Sequence, residues 1–596
     1  MCRTRRIKEF DMRFPSKCDE TKPTCNQCAK SRRQCPGYKD EFDLVFRNET
    51  QATERRARKA NKKAMAQKLN REIEQAMSSS KSPSPCSPTT NNYVTSALQI
   101  PIEQQASCHF VSNFVLIPRQ GSTRGFMEHL IPLLKADQGG DHFKHAFDAC
   151  ALASLGNRVG PGSDFEQAAL SKYTKALSST YKALRDPELA KNDTTLAAIL
   201  LLGLFENISA KQLGMLAWGS HTEGAVQLVK ARGRKQLRTK IGLLLFIAVR
   251  TQMIIHTLSS GEAPVMGAEW WINDAFKDEH GASCQRISIR VGELRAEVNR
   301  LLATLARTPD NVELMLDVIR QCQSTDHDCA NWAKDLPEHF DFQTVAWEDN
   351  VPNGDYSKAE VYPGRVDAYQ DLWVVSVWNM VRTSRVILAS MIVRCAAWVC
   401  APLDYRTTPE YATAARTCVE NITDIIASVP YQLGWFAKRS DLLERANLSA
   451  FGCGDEDAPK GLPGYLLTWP LSCMFSQDYT TDNQRAWIKG RLEYIGDQLG
   501  VKYAHMLTQL NLRIPSMLIR RDGLMAKPLP TGSNFEKLLS MKNSQAAEYI
   551  KQQRQVTQSE QLVQQRPVAL NPAMGQVIGA SWPPQSRWDL MEQNVL

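Results

Sequence analysis

The run Asp193-Thr-Thr-Leu196-Ala-Ala-Ile199-Leu200-Leu-Leu-Gly203-Leu204-Phe205 has the periodicity of a helix. Leu196, Ile199, Leu200, Gly203 and Leu204 recur at three-to-four spacing and share one face, and Asp193 stands where an N-cap belongs. The same period continues on either side. Residues 217–231 bring Ala225, Leu228 and Val229 together, and Gly233 follows where a left-handed C-cap fits. Leu243, Phe246 and Ile247 then lead to Met253 and Ile254. A further helix is expected from Tyr369 through Trp373, Val377, Met380 and Val381 to Ile387. Alternating strand patterns are scarce, so the body between about 109 and 540 is expected to be all-α.

A chain of 596 residues that is 43% hydrophobic can bury a large core. Sixteen cysteines are too few for a disulfide scaffold at this length, and most are expected as small buried hydrophobes in a reducing compartment. No charged-then-apolar signal peptide opens the sequence. The most apolar runs, 241–249 and 386–393, end at Arg250 and Arg394, so both are expected as buried helix and not as membrane spans. No P-loop, dinucleotide turn, G-x-S-x-G or H-E-x-x-H occurs, which leaves an enzyme without a motif.

Charge is distributed unevenly. Residues 1–81 hold 21 Lys/Arg against 11 Asp/Glu, a net of +10, and the remainder holds 51 against 52, a net of −1. A basic head on a neutral body suits a polyanion partner. Within the head stands Cys18-Asp-Glu-Thr-Lys-Pro23-Thr-Cys25-Asn-Gln-Cys28-Ala-Lys-Ser-Arg32-Arg33-Gln-Cys35, spaced C-x6-C-x2-C-x6-C. A C-x2-C step can point two thiolates at one metal. Upstream lies Cys2-Arg3-Thr-Arg5-Arg6-Ile-Lys8, a cysteine followed by a basic hexapeptide.

These residues resemble the fungal zinc binuclear cluster, whose pattern is C-x2-C-x6-C, a short loop, then C-x2-C-x6-C. Two departures stand out. A cysteine three positions before Cys2 is lacking, and Glu9 to Lys17 intervene before Cys18. Removing those nine residues restores the x6 gap, so 9–17 is expected to be an insertion, with an upstream start lost. The resemblance implies that Cys2, Cys18, Cys25, Cys28 and Cys35 ligate zinc, with Cys25 as a bridging thiolate. It implies that Arg5 and Arg6 read guanines of GC-rich half-sites in double-stranded DNA, while Arg3 and Lys8 meet phosphates. It also implies a nuclear location and a homodimer. With five thiolates, one zinc held by Cys18, Cys25, Cys28 and Cys35 is expected in place of two. A degenerate, non-DNA-binding module on an interaction protein is the alternative.

The body segments resemble the second type of fungal-specific transcription factor domain. Trp218-Gly-Ser-His221-Thr-Glu-Gly224-Ala, Arg232-Gly233, Arg250, Trp378-Asn379-Met-Val-Arg382-Thr-Ser-Arg385 and Leu466-Leu467-Thr-Trp469-Pro470-Leu471 carry it. A helical regulatory domain that dimerises or binds a small-molecule effector is what this implies. His221, Arg250, Arg382 and Arg385 are candidates to line an effector pocket. The expectation is instead that they are core groups paired to a carboxylate or a helix end, because an unpaired buried charge is costly. Cys322, Cys329, Cys395 and Cys400 are expected to be scattered cysteines, since His327 alone does not complete a zinc site.

The domains expected are therefore a metal-dependent module at 1–47, a basic and Ser/Pro-rich linker at 48–108, the helical body at 109–540, and a Gln-rich disordered tail at 541–596. In the linker, Arg55, Arg56, Arg58, Lys59, Lys62 and Lys63 form a cluster suited to nuclear import or phosphate contact, or merely to a solvated helix face. Met65, Leu69, Ile73 and Ala76 fit a short amphipathic helix.

Overall fold

The computed structural model describes residues 100–118, 124–136, 140–160, 164–210, 214–272, 279–439 and 459–524. The body is helical as expected, and its helices surround two apolar ones. The first of these is α5 (Asp193–Ser209). Around it pack α3 (Asp141–Val159), α4 (Phe165–Arg185), α6 (Gly214–Arg232), α7 (Lys240–Ser260) and the short α15 (Lys502–Leu507). Leu196, Leu201 and Ile208 of α5 are wholly buried, as this all-round enclosure requires. α1 (Ile102–Phe114) closes over α3, α2 (Leu130–Lys135) follows it, and α8 (Ala268–Ile272) follows α7.

The second central helix is α11 (Leu372–Cys400). It contacts α9 (Glu279–Thr304), α10 (Pro309–Lys334), α12 (Pro409–Gln432), α13 (Gly461–Phe475) and α16 (Ser516–Arg521), and α14 (Asp482–Asp497) packs on α13. Its start is set by Asp371, whose carboxylate accepts from the Val374 N–H at 2.8 Å. Threonine caps begin α10 and α12, where Thr308 and Thr408 precede a proline at the first helical position.

One element was not expected. β1 (Gln343–Glu348) pairs antiparallel with β2 (Gly364–Ala368), with a bulge between Thr344 and Ala346. Val345, Ala346 and Val366 supply the β-branched and small residues such a ladder tolerates, but six residues are too few to show alternation against the helical background. The ribbon packs on α12 and leads directly into α11.

Several expectations need correction. Asp193 is not the cap of α5 but its first residue. Asn192 occupies the cap position, and the Asp193 carboxylate is taken by Arg232 of α6. Gly233 has φ +62°, which favours glycine, but its ψ of −166° is extended and not left-handed helical. Tyr369 lies before α11, and that helix runs on to Cys400. α1 begins inside the segment assigned to linker. Finally, α7 and α11 are long and apolar enough by composition to cross a membrane, since Arg250 in α7 and Arg382, Arg385 and Arg394 in α11 do not offset so many aliphatic residues. Here most of the apolar stretch of α11, and just over half of that of α7, is buried inside the body.

Candidate functional site

The zinc-ligating candidates Cys2, Cys18, Cys25, Cys28 and Cys35 lie outside the described residues. So do the DNA-contact candidates Arg3, Arg5, Arg6 and Lys8, the basic cluster from Arg55 to Lys63 and the Gln-rich tail. The four polar candidates of the body are all placed, and they fall in separate networks and not around one pocket.

His221 of α6 is enclosed by α4 and α5. Its Nε2 lies 3.1 Å from the Tyr173 hydroxyl, which donates its own proton to Glu206 and stacks face-on with Phe205 at 4.2 Å between centroids. With that proton engaged by Glu206, the hydroxyl has a lone pair free to accept from the tautomer that carries its proton on Nε2. Burial pushes His221 down to about 4, so the ring is neutral at pH 7. Arg250 of α7 donates from Nη1 to the Trp271 carbonyl at 2.8 Å, at the end of α8, and its guanidinium approaches the Phe246 ring.

Arg382 of α11 belongs to the most elaborate network. Its Nη1 donates to the Tyr369 hydroxyl at 2.8 Å and to Asn379 Oδ1 at 3.2 Å. The guanidinium lies 5.2 Å from the Phe342 ring centroid and 5.0 Å from that of Trp378, a cation–π cage. Asp424 of α12 stands 4.0 Å from Arg382 Nε and accepts from Arg365 of β2. Arg365 Nε is also 3.1 Å from Asp367 Oδ2, although not aligned for a hydrogen bond, and Asp367 accepts from Thr344 of β1 at 2.8 Å. Two arginines and two aspartates thus balance in charge where the ribbon meets α11 and α12. Burial raises the Asp367 carboxyl despite Arg365, and it raises Tyr369 to about 12. Burial alone would lower Arg382, but Tyr369 and Asp424 hold it above its usual value.

Arg385, one turn further along α11, grips both oxygens of Asp326 on α10 at 2.7 and 3.0 Å. Arg394, which had figured in the sequence only as a break in an apolar run, donates to Asp522 at 2.7 and 3.2 Å and to Asn299 at 2.8 Å. Each candidate therefore ends on a carboxylate, a hydroxyl or a helix terminus of the chain itself, the pairing expected of core groups. The cysteines agree with expectation as well. Cys322, Cys329 and Cys395 are buried and Cys400 is half-buried. Burial pushes Cys395 up to about 12 and Cys400 to about 11, leaving them protonated and unreactive at neutral pH.

Residues 105–269, from within α1 to α8, match the fungal specific transcription factor domain. Trp218 to Gly233 and Arg250 fall inside that match, while the stretches 378–385 and 466–471 lie beyond it. Over 411 residues the chain is 22% identical to the transcription factor dbaG of Emericella nidulans, an alignment covering 68% of this chain and 91% of that protein. A second relative, an uncharacterized protein of the same fungus, is 30% identical over 151 residues, 25% of this chain and 31% of its own length. No solved structure matches the chain. The matched domain and the similarity to a transcription factor support a transcription regulator of the fungal-specific class, and they point away from an enzyme.

Proposed function

We propose that this chain is a nuclear, DNA-binding regulator of transcription by RNA polymerase II, in which a zinc-dependent head reads GC-rich half-sites and the helical body regulates it. The observation that carries this reading is the joining, in one chain, of a fungal specific transcription factor domain at 105–269 to a head that holds all the net positive charge. Residues Cys18, Cys25, Cys28 and Cys35 would hold zinc, and the metal would supply the core that so short a segment lacks, making binding and folding one event. Arg5 and Arg6 would donate to guanine O6 and N7, and Arg3 and Lys8 to phosphates. A homodimer would set the spacing of two half-sites. A small-molecule effector of the body is a further proposal, and because His221, Arg250, Arg382 and Arg385 have partners within the chain, they are not proposed as its ligands.

A second reading is an interaction protein whose head no longer binds DNA specifically. The nine residues 9–17, which interrupt the x6 gap, favour it. The two readings separate on a repaired chain that lacks Glu9–Lys17 and carries a cysteine three residues before Cys2. That chain should bind a GC-rich duplex selectively, and Arg5→Ala or Arg6→Ala should each reduce the preference by about 1–3 kcal/mol. The unrepaired chain should hold about one thiolate-bound zinc, lost in Cys28→Ser, and should bind DNA without selectivity. A repaired chain with two zinc ions and no sequence preference would reject the DNA-reading assignment.

A further inference from the structure

Glu223 on α6, His256 on α7 and Glu262 just past the end of α7 bring one ligand atom each to within 4.8 Å of one another. Their arrangement is built by the backbone. The His256 ring meets Trp218 edge-on at 5.8 Å, and a Cβ at position 219 would come within 3.1 Å of the imidazole, so Gly219 lets the ring lie close against α6. Gly261 ends α7 at φ +74°, where a side chain would strike Asn299. Asn299 and Arg295 of α9 donate to the carbonyls of Gly261 and Ser259, which fixes the turn carrying Glu262.

The distance that matters is between His256 Nε2 and Glu223 Oε1. They stand 3.4 Å apart, and Nε2 is buried without a hydrogen-bond partner. An imidazole N–H beside a carboxylate ordinarily closes to about 2.8 Å. Two ligands of one tetrahedral zinc, each about 2.05 Å from the metal, stand about 3.3 Å apart. The spacing observed matches that of two ligands on a shared metal, and Nε2 makes no hydrogen bond to the carboxylate. We propose that Glu223, His256 and Glu262 form a divalent-metal site, one imidazole nitrogen and two carboxylate oxygens, with zinc as the ion and water in the remaining position. The exposed Glu262 closes the last part of the distance by side-chain rotation. Because the ligands come from α6, α7 and the following turn, the ion would cross-link the two helices within the matched domain. The site is independent of the cysteine module and of the proposed DNA reading.

The full-length chain, loaded with zinc and separately with cobalt, tests it. Wild type should carry one more equivalent of zinc than His256→Ala, and that equivalent should survive in Cys28→Ser. Cobalt there should give visible d–d bands without thiolate charge transfer, and these bands should vanish in His256→Ala. Glu262→Gln alters only an exposed carboxylate, so it guards against a folding defect. It should weaken this equivalent by about tenfold or more while leaving the circular dichroism unchanged. Equal zinc content and identical cobalt spectra in wild type, His256→Ala and Glu262→Gln would overturn the proposal.

Discussion

Burial holds His129 down to about 4, against about 6.5 for an exposed imidazole, and its Nε2 is enclosed without a hydrogen-bond partner. Between those pH values the unfolded chain takes up the proton more readily than the folded one. The contribution of this neutral ring is therefore fully present above about 6.5 and is lost as pH falls towards about 4. Glu410 and Asp367, whose carboxyls burial raises, act in the opposite sense, so the effect is read by difference. His129→Leu should flatten the loss of stability on going from pH 6.5 to pH 4, as followed by urea unfolding at several pH values. An unchanged slope would show that the ring is not held neutral. Nothing in the sequence around His129 signals this, because its burial is set by the folded packing and not by a local pattern.

At the scale of elements, Arg394 is the point where three helices meet, since it joins α11 to Asn299 of α9 and to Asp522 at the end of α16. Both partners of the ion pair are nearly inaccessible, at 3% and 8% side-chain exposure. Arg394→Ala would leave the buried Asp522 carboxylate with only the exposed Arg521 as its ion partner, and removing one partner of a buried pair costs up to about 3–5 kcal/mol. The expected outcome is a fall of that size in unfolding free energy. A neutral result would mean that Asp522 turns to solvent and α16 is only loosely attached. The helices themselves were legible, because Leu196 to Leu204 and Phe246 to Ile254 repeat the helical period without interruption. Their pairings were not. Arg385 and Asp326 are 59 residues apart, and Arg394 and Asp522 are 128, so no local pattern links them. The ribbon of β1 and β2 escaped notice because its strands are too short to announce a two-residue period. The Glu223, His256 and Glu262 group escaped for the same reason as the ion pairs, since only the packing of α6 on α7 assembles it.

For the whole molecule, a neutral helical body carries a basic, cysteine-bearing head, and the body bears the fungal specific transcription factor domain match. If the head is what meets DNA, affinity should come chiefly from counterion release, with the log of the binding constant falling by about 0.9 per neutralised phosphate for each unit in log salt. The direct measurement is duplex binding across a salt series by the repaired chain and by a chain starting at residue 100. A steep slope is expected for the first and no appreciable binding by the second. Salt-insensitive binding, or equal binding by both chains, would contradict a DNA-binding head.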